Sequence, residues 1–157
     1  MPVELDKVDK EILHLIQEDA RNNTNSDLAE TIGVAPSTIS KRIKNLEDSG
    51  VIRGYTPNIE YDTAGFPLYV LFICSAPITE RGNLIQDVLD IPGVVSAKEL
   101  MTGNHNLHIE VVGKQNEDIT QLAFEISELG VQIGEEVLVK NEFPKPASIF
   151  KDRKSGD

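Results

Sequence analysis

Six residues within one eight-residue stretch carry the donors that a polyanion accepts: Ser37, Thr38, Ser40, Lys41, Arg42 and Lys44. No acidic residue follows them before Glu47. Phosphate oxygens and base edges take hydrogen bonds from hydroxyls and cations, so this stretch is a candidate contact for nucleic acid. The plainer alternative is a solvated helix face. A second cluster, Thr102-Gly103-Asn104-His105-Asn106, groups hydroxyl, amide and imidazole. It suits either a small polar ligand or simply a tight loop, because Gly103 and Asn104 tolerate positive φ. An unperturbed histidine changes charge at about pH 6.5, so His105 is a candidate for a ligand contact that responds to pH. His105 and His108 stand three apart near the start of a strand and tend to face opposite sides, a poor chelating pair. No metal site is expected. Cys74 is the sole cysteine, which excludes an intrachain disulfide and a cysteine-based zinc site. Paired carboxylates, a nucleophile with its base, and a phosphate-binding loop are not visible, so neither enzymatic activity nor a cofactor is expected.

The elements around the first cluster follow from caps and periodicity. Asp6 with Asp9 three residues on forms a carboxylate variant of the capping box, and Val8, Ile12, Leu15 and Ile16 recur at helical spacing. Thr24-Asn25-Ser26-Asp27 starts a second helix with Leu28, Ala29 and Ile32 on one face. Gly33 ends it, where a left-handed residue is needed. Pro36 fits the first turn of a third helix, where its missing N–H costs nothing. Ile39, Ile43 and Leu46 mark that helix's buried face, and Gly50 stops it. Helix, short glycine turn, helix is the helix-turn-helix pattern, with Ala29 allowing close crossing and Ile39 packing the second helix on the first. An ordinary αα-hairpin is the other reading. Val51-Ile52-Arg53-Gly54-Tyr55 is expected to leave this domain as a short strand.

Around the second cluster the period changes. Leu68 to Cys74 reads as a strand apolar on both faces, and Leu84, Ile85, Val88 and Leu89 as a helical stripe closed by Ile91-Pro92-Gly93. Val94 to Leu100 and the alternating Leu107, Ile109 and Val111 give two more strands. Ile119, Leu122, Ala123, Ile126 and Leu129 make a second helix, and Val131 to Lys140 a last strand. The order βαββαβ is the ferredoxin-like arrangement, in which the first strand is central and the helices cover one face. A central strand apolar on both faces needs cover on the second, and two small domains bury little surface alone. A homodimer is the expected answer.

The 157 residues carry 15 basic and 26 acidic groups, a formal net charge of −11. Such a balance repels DNA as a whole. Within residues 36–55, however, Lys41, Arg42, Lys44 and Arg53 face only Glu47 and Asp48. A local basic face on an acidic body can still dock on phosphate. Residues Met1 to Lys7 contain no apolar signal-peptide core, and the run Leu68–Cys74 is far shorter than the roughly 20 residues that span a bilayer. A cytoplasmic protein with no membrane partner is expected.

At this point the residues match a family. Leu5-Asp6 with Asp9, Ile12-Leu13, Asp19-Ala20-Arg21, Leu28-Ala29, Ile32-Gly33-Val34, Arg42, Leu46-Glu47, Gly50-Val51-Ile52 and Gly54-Tyr55 carry the likeness in the first 55 residues. Ile91-Pro92-Gly93-Val94 and Thr102-Gly103-Asn104-His105-Asn106 carry it further on. The chain resembles the Lrp/AsnC group, the feast/famine transcription regulators, over roughly residues 4–143. The resemblance implies an α+β chain: a helix-turn-helix domain over 1–55, winged or plain, a linker over 56–67, and a ferredoxin-like effector-binding and dimerisation domain over 68–143. Residues 144–157 are expected to form a flexible basic tail. It also implies dimers that often assemble further, and small molecules, usually amino acids, bound between effector domains. Three departures stand out. Ala35 replaces the serine that often caps the recognition helix, removing a hydrogen bond of about 1 kcal/mol. Asn22-Asn23 makes the first connection one residue longer. The loop at 103–106 reads Gly-Asn-His-Asn where Gly-Asp-Tyr-Asp is common, and asparagines hold an α-ammonium group less strongly than carboxylates.

The reading these features support is a sequence-specific regulator of double-stranded DNA. Its dimer would place two recognition helices in successive major grooves, about 10 bp apart or a multiple of that. Ser37, Thr38, Ser40, Lys41, Arg42 and Lys44 are the DNA-contact candidates, and Thr102, Gly103, Asn104, His105 and Asn106 the effector-contact candidates. Two alternatives stay open. One is an enzyme like the sirohaem decarboxylases, which resemble the family in both domains. The other is an effector-binding subunit that modulates another regulator.

Overall fold

The computed structural model describes residues 2–77 and 81–151. The chain divides into two compact units. The first is the chain up to Pro57 together with the segment from Phe143 onward; the second is Asn58–Glu142.

The first unit contains α1 (Lys7–Glu18), α2 (Asn25–Ile32) and α3 (Pro36–Asp48). Both expected capping boxes are made. The Asp6 carboxylate accepts from the Asp9 N–H while the Asp9 carboxylate accepts from the Asp6 N–H, and Thr24 and Asp27 repeat the arrangement. Gly33 closes α2 at φ 84°, and its N–H donates to the Ala29 carbonyl. Ile12, Leu13, Leu28, Ala29, Ile39 and Leu46 form the buried core of the three helices. Packing of this apolar stripe, more than helix propensity, is what holds helices of 8 to 13 residues.

Two expectations for this unit change. Val51 to Tyr55 forms no strand: the Ile52 N–H donates to the Leu46 carbonyl, and Val51 and Ile52 pack back on the helical core. A β-pattern becomes a strand only where a second backbone lies alongside to share its hydrogen bonds. The expected flexible tail is, over its described part, also docked. Ser148–Phe150 form a single 3-10 turn, Phe150 packs on the helical core, and the Ala147 N–H donates to the Gln17 side chain. Phe150 supplies the apolar surface for this, a signal that the charged residues around it masked.

The second unit contains β1 (Leu68–Ser75), α4 (Arg81–Leu89), β2 (Val94–Glu99), β3 (Leu107–Gly113), α5 (Asn116–Glu128) and β4 (Gln132–Leu138). The four strands form one antiparallel sheet in the order β2-β3-β1-β4, so the βαββαβ order does fold in the ferredoxin-like way. Val70, Phe72 and Cys74 of β1 and Leu107, Ile109 and Val111 of β3 face the helices and are buried with Val88, Leu122 and Ile126. Burial pushes the Cys74 thiol up to about 12. The opposite face carries Leu71 and Ile73 half-buried, beside Val137 exposed. It also carries a polar group of contacts: Glu110 accepts from Lys98 and from the Tyr69 hydroxyl. Burial works against ionisation of Glu110, but the hydrogen bonds from Lys98, Tyr69 and Ser96 outweigh it and hold the carboxyl below its usual range.

The stretch expected as linker is partly built into this unit. Tyr61 packs on Tyr69 with ring centroids 5.8 Å apart, and Lys114 lies 5.4 Å from the centre of the Phe66 ring. These ring contacts hold Tyr61, half-buried, and Phe66, still exposed, beside the sheet, which the turn-forming residues between 56 and 67 did not suggest.

Candidate nucleic-acid interface

Helix α3 rotates its six candidate residues to different places. At 3.6 residues per turn, Ser37, Lys41 and Lys44 point roughly opposite Ile39, while Arg42 lies only about 60° round the helix from it. Ser37, Ser40, Lys41 and Lys44 are exposed, and Thr38 and Arg42 are half-buried. Lys41 makes no ion pair with any described residue. Lys44 Nζ stands 2.9 Å from Asp48 Oδ2 with both groups in solvent, and that carboxylate raises the pKa of the lysine. An exposed pair of this kind contributes little and exchanges readily for another anion. The start of the helix lacks a side-chain cap at Ala35, as the sequence implied.

Arg42 is turned the other way. Its Nη1 donates to Asp6 Oδ2 and lies 3.3 Å from both oxygens of Asp9. Those two carboxylates are the capping box of α1. The hydrogen bond from the Asp9 backbone, opposed by desolvation and reinforced by Arg42, holds the Asp6 carboxyl below its usual range. Asp6 in turn raises the pKa of Arg42. Neither acid stood out as a partner of the DNA face in the sequence. The available signal was the position of Arg42 on the flank of the Ile39, Ile43, Leu46 stripe, where a side chain meets the neighbouring helix.

The loop between β2 and β3 holds the second cluster, and two of its polar side chains, His105 and Asn106, are already engaged. Asn106 makes two bonds to one residue: Oδ1 accepts from the Ala76 N–H at 2.8 Å and Nδ2 donates to the Ala76 carbonyl at 2.9 Å. Ser75 Oγ donates to the Asn104 carbonyl and lies 3.2 Å from His105 Nδ1. The His105 ring also occupies the space a side chain at residue 134 would need: a Cβ on Gly134 would fall 2.7 Å from His105 Cε1. Thr102, Gly103 and Asn104 are exposed. His108 is elsewhere, registered between Ile73 and Lys98 on the sheet. Among the described residues no three His, Cys, Asp or Glu side chains converge as metal ligands do. Ala76, Leu84, Ile85, Glu99, Asn106 and Leu107 line a cleft of about 170 Å³ including its mouth. Ligand pockets are usually roughly 300 Å³ or more, so this one alone encloses no metabolite.

A three-helix unit with an exposed basic, hydroxyl-bearing third helix defines a DNA-binding protein of the helix-turn-helix class, here carrying a ferredoxin-like unit. Residues 5–53 match the winged helix-turn-helix DNA-binding family. The chain is 32% identical over 126 residues to the HTH-type transcriptional regulator AldR of Mycobacterium tuberculosis, covering 79% of this chain and 70% of that protein. It is 31% identical over 120 residues to the transcriptional regulator AzlB of Bacillus subtilis, covering 74% and 75%. Among solved structures, the L-Met complex of the regulator NMB0573 from Neisseria meningitidis has a TM-score of 0.74 at 26% identity, over 92% of this chain and 96% of that one. Escherichia coli AsnC shares the fold at a TM-score of 0.72 and 20% identity, over 91% and 97%.

The chain belongs to the Lrp/AsnC family of transcription regulators. Its relatives are named regulators, and it is a DNA-binding regulator rather than an enzyme. Among the described residues no helix is long and apolar enough to cross a membrane.

Proposed function

We propose that the chain is a sequence-specific, cytoplasmic transcription regulator that binds duplex DNA through the outer face of α3. The observation that carries this is the exposure of Ser37, Ser40, Lys41 and Lys44 on one side of that helix, with Lys41 free of any described ion pair. Lys41 supplies a phosphate or base contact, and Ser37 and Ser40 supply neutral donors beside it; Thr38, half-buried, reaches the same groove from the flank. A homodimer sets two such helices on one face of the duplex. The half-buried Leu71 and Ile73 with the exposed Val137 on the open side of the sheet support pairing there. A small-molecule effector, an amino acid or related metabolite, binds between effector domains at the loop Thr102–Asn106, whose shape Asn106 holds through Ala76, and assemblies beyond the dimer respond to it. Thr102, Gly103 and Asn104 stand exposed in the single chain, which supports a site completed by a second copy. The neighbouring structure in complex with L-Met supports the amino-acid class.

The test is a salt-titrated binding assay on duplexes selected from a random-sequence library, with a shuffled duplex as control. Lys41→Ala is expected to weaken binding and to reduce the log–log salt slope by about one unit. Equal, negligible affinity of the parent chain for selected and shuffled duplexes overturns the reading. Sedimentation with and without L-Met reads the assembly and the effector: a monomer under all conditions refutes both.

A further inference from the structure

We propose that Arg42 is a positioning residue for DNA recognition rather than a phosphate contact. Its guanidinium ties the recognition helix to the capping box of α1 and fixes the angle at which Ser37, Ser40 and Lys41 meet the groove. This rests on the DNA-binding reading above and assigns one of its basic residues a different job.

The argument begins with place. Arg42 follows Ile39 by three residues and precedes Leu46 by four, so it borders the buried stripe of α3 and faces α1. Its partners are then unusual in kind. Asp9 is the single polar or charged residue that is buried among the described residues, and Arg42 is the cation beside it. A carboxylate removed from water needs a counter-charge, and taking the cation away leaves it stranded. Asp6 stands next to it and already shares hydrogen bonds with Asp9. One cation therefore serves two anions. Moving it to a DNA phosphate would leave the buried Asp9 without its cation and set both carboxylates beside a third negative group.

The remaining contacts show why position rather than charge is at stake. All three contacts of Arg42 use the one nitrogen, Nη1, which lies between the two carboxylates at the start of α1 and so ties α3 to that point. Lys41 and Lys44, on the outer face, have solvent around them and no such anchor in α1. A recognition helix reads base edges only when its side chains arrive within a fraction of an ångström of the right place. Non-specific attraction to phosphates has no such requirement. The tie to Asp6 and Asp9 thus acts on selectivity, whereas Lys41 acts on charge.

Two sets of variants separate these roles in the full-length chain, assayed on the selected and the shuffled duplex. All are checked by circular dichroism to be folded at the assay temperature. Arg42→Gln is expected to lower affinity for the selected duplex about tenfold, the loss one disturbed base contact brings. Its affinity for the shuffled duplex and its salt slope stay near those of the parent. Arg42→Lys, which keeps one charge for the carboxylates, recovers part of the selectivity.

The decisive variant is Asp6→Asn with Asp9→Asn. Asparagine still caps α1, and the change removes two anions near the DNA face, so a purely electrostatic role predicts tighter binding. A positioning role predicts that the ratio of selected to shuffled affinity falls as it does for Arg42→Gln. Tighter binding to the selected duplex by the double variant overturns the proposal. So does a loss of about one unit of salt slope in Arg42→Gln. If the parent itself binds no duplex selectively, the regulator reading and this inference fall together. If the parent is selective and Lys41→Ala behaves as expected, an opposite result for the double variant removes this inference alone.

Discussion

Asn106 is the residue whose replacement separates structure from ligand binding most sharply. Its side-chain amide makes both of its bonds to the backbone of Ala76, just beyond β1, at 2.8 and 2.9 Å. Its own carbonyl accepts from the Leu100 N–H at 3.0 Å, closing the loop of residues 100–106. Asn106→Ala removes two hydrogen bonds, each contributing about 1 kcal/mol net, and leaves the Ala76 N–H and C=O without partners. Ala76 is 8% exposed, so water replaces the lost partners only in part. The expected destabilisation of the sheet unit is about 2–3 kcal/mol. Asn106→Asp keeps the bond from the Ala76 N–H but sets a carboxylate oxygen against the Ala76 carbonyl. Protonation would restore a donor at that oxygen, so the folded state favours the protonated acid and raises its pKa. The stability associated with that proton is present below the unfolded value near pH 4 and lost as pH rises through the higher folded value. The penalty of Asn106→Asp relative to the parent should therefore be greater at pH 7 than at pH 4.

Hydrogen exchange read by mass spectrometry suits the assay, because it reports the amides of β1 and β3 separately from the helical unit. Asn106→Ala should speed exchange at Phe72 and Ile109, at the centre of the sheet, by the factor that matches the lost free energy, while α1 to α3 keep their protection. Unchanged protection in β1 and β3 would refute the argument that this side chain fastens the loop to the sheet. Asn106 would then be free for the ligand role that its position in the sequence suggested.

Other perturbations test other parts of the structure. Gly33→Ala places a Cβ where nothing lies within 4 Å, so its cost is the backbone strain of φ 84° alone. That amounts to about 1–2 kcal/mol, read as a lower thermal midpoint of the helical unit. Phe150→Ala removes a half-buried ring from the same unit and should cost about 2 kcal/mol, roughly half the value for a fully buried phenylalanine. The variant should also be cut faster by protease within residues 144–151. Asp6 and Asp19 are held below their usual range first by backbone hydrogen bonds, from Asp9 and Asn22, and Asp27 first by the Thr24 side chain. Folded values below the unfolded one of about 4 give stability that is present above that pH and lost as pH falls through the lowered values. Melts between pH 6 and pH 2 should therefore show the helical unit weakening mainly below pH 4, and less so in Asp27→Asn.

Much of this fold was legible residue by residue. Local signals do not depend on distant partners: Asp6 with Asp9, Thr24 with Asp27, Gly33, and Pro36 after Ala35 each state their geometry within four positions. The sheet was legible because alternation in β3 and the double-sided apolar run of β1 admit few arrangements. Local reading failed where the outcome depended on what lay alongside. Val51 to Tyr55 has a strand's composition, but its partner is the end of a helix. The tail around Phe150 has a disordered segment's composition, but one aromatic ring and an acceptor on Gln17 hold it.

The candidate sites divide along the same line. The amino-acid sequence by itself determined that Ser37 to Lys44 form a donor-rich helix and that Thr102 to Asn106 form a turn, because helical period, caps and turn residues are properties of neighbours in the chain. Only the tertiary structure decided which of those side chains are available. Arg42 is spoken for by Asp6 and Asp9, more than thirty residues away, and Asn106 by Ala76, thirty residues away. A charge or an amide binds whatever compensates it at the shortest distance, and that distance is set by how helices and strands pack, not by how far apart the residues lie along the chain.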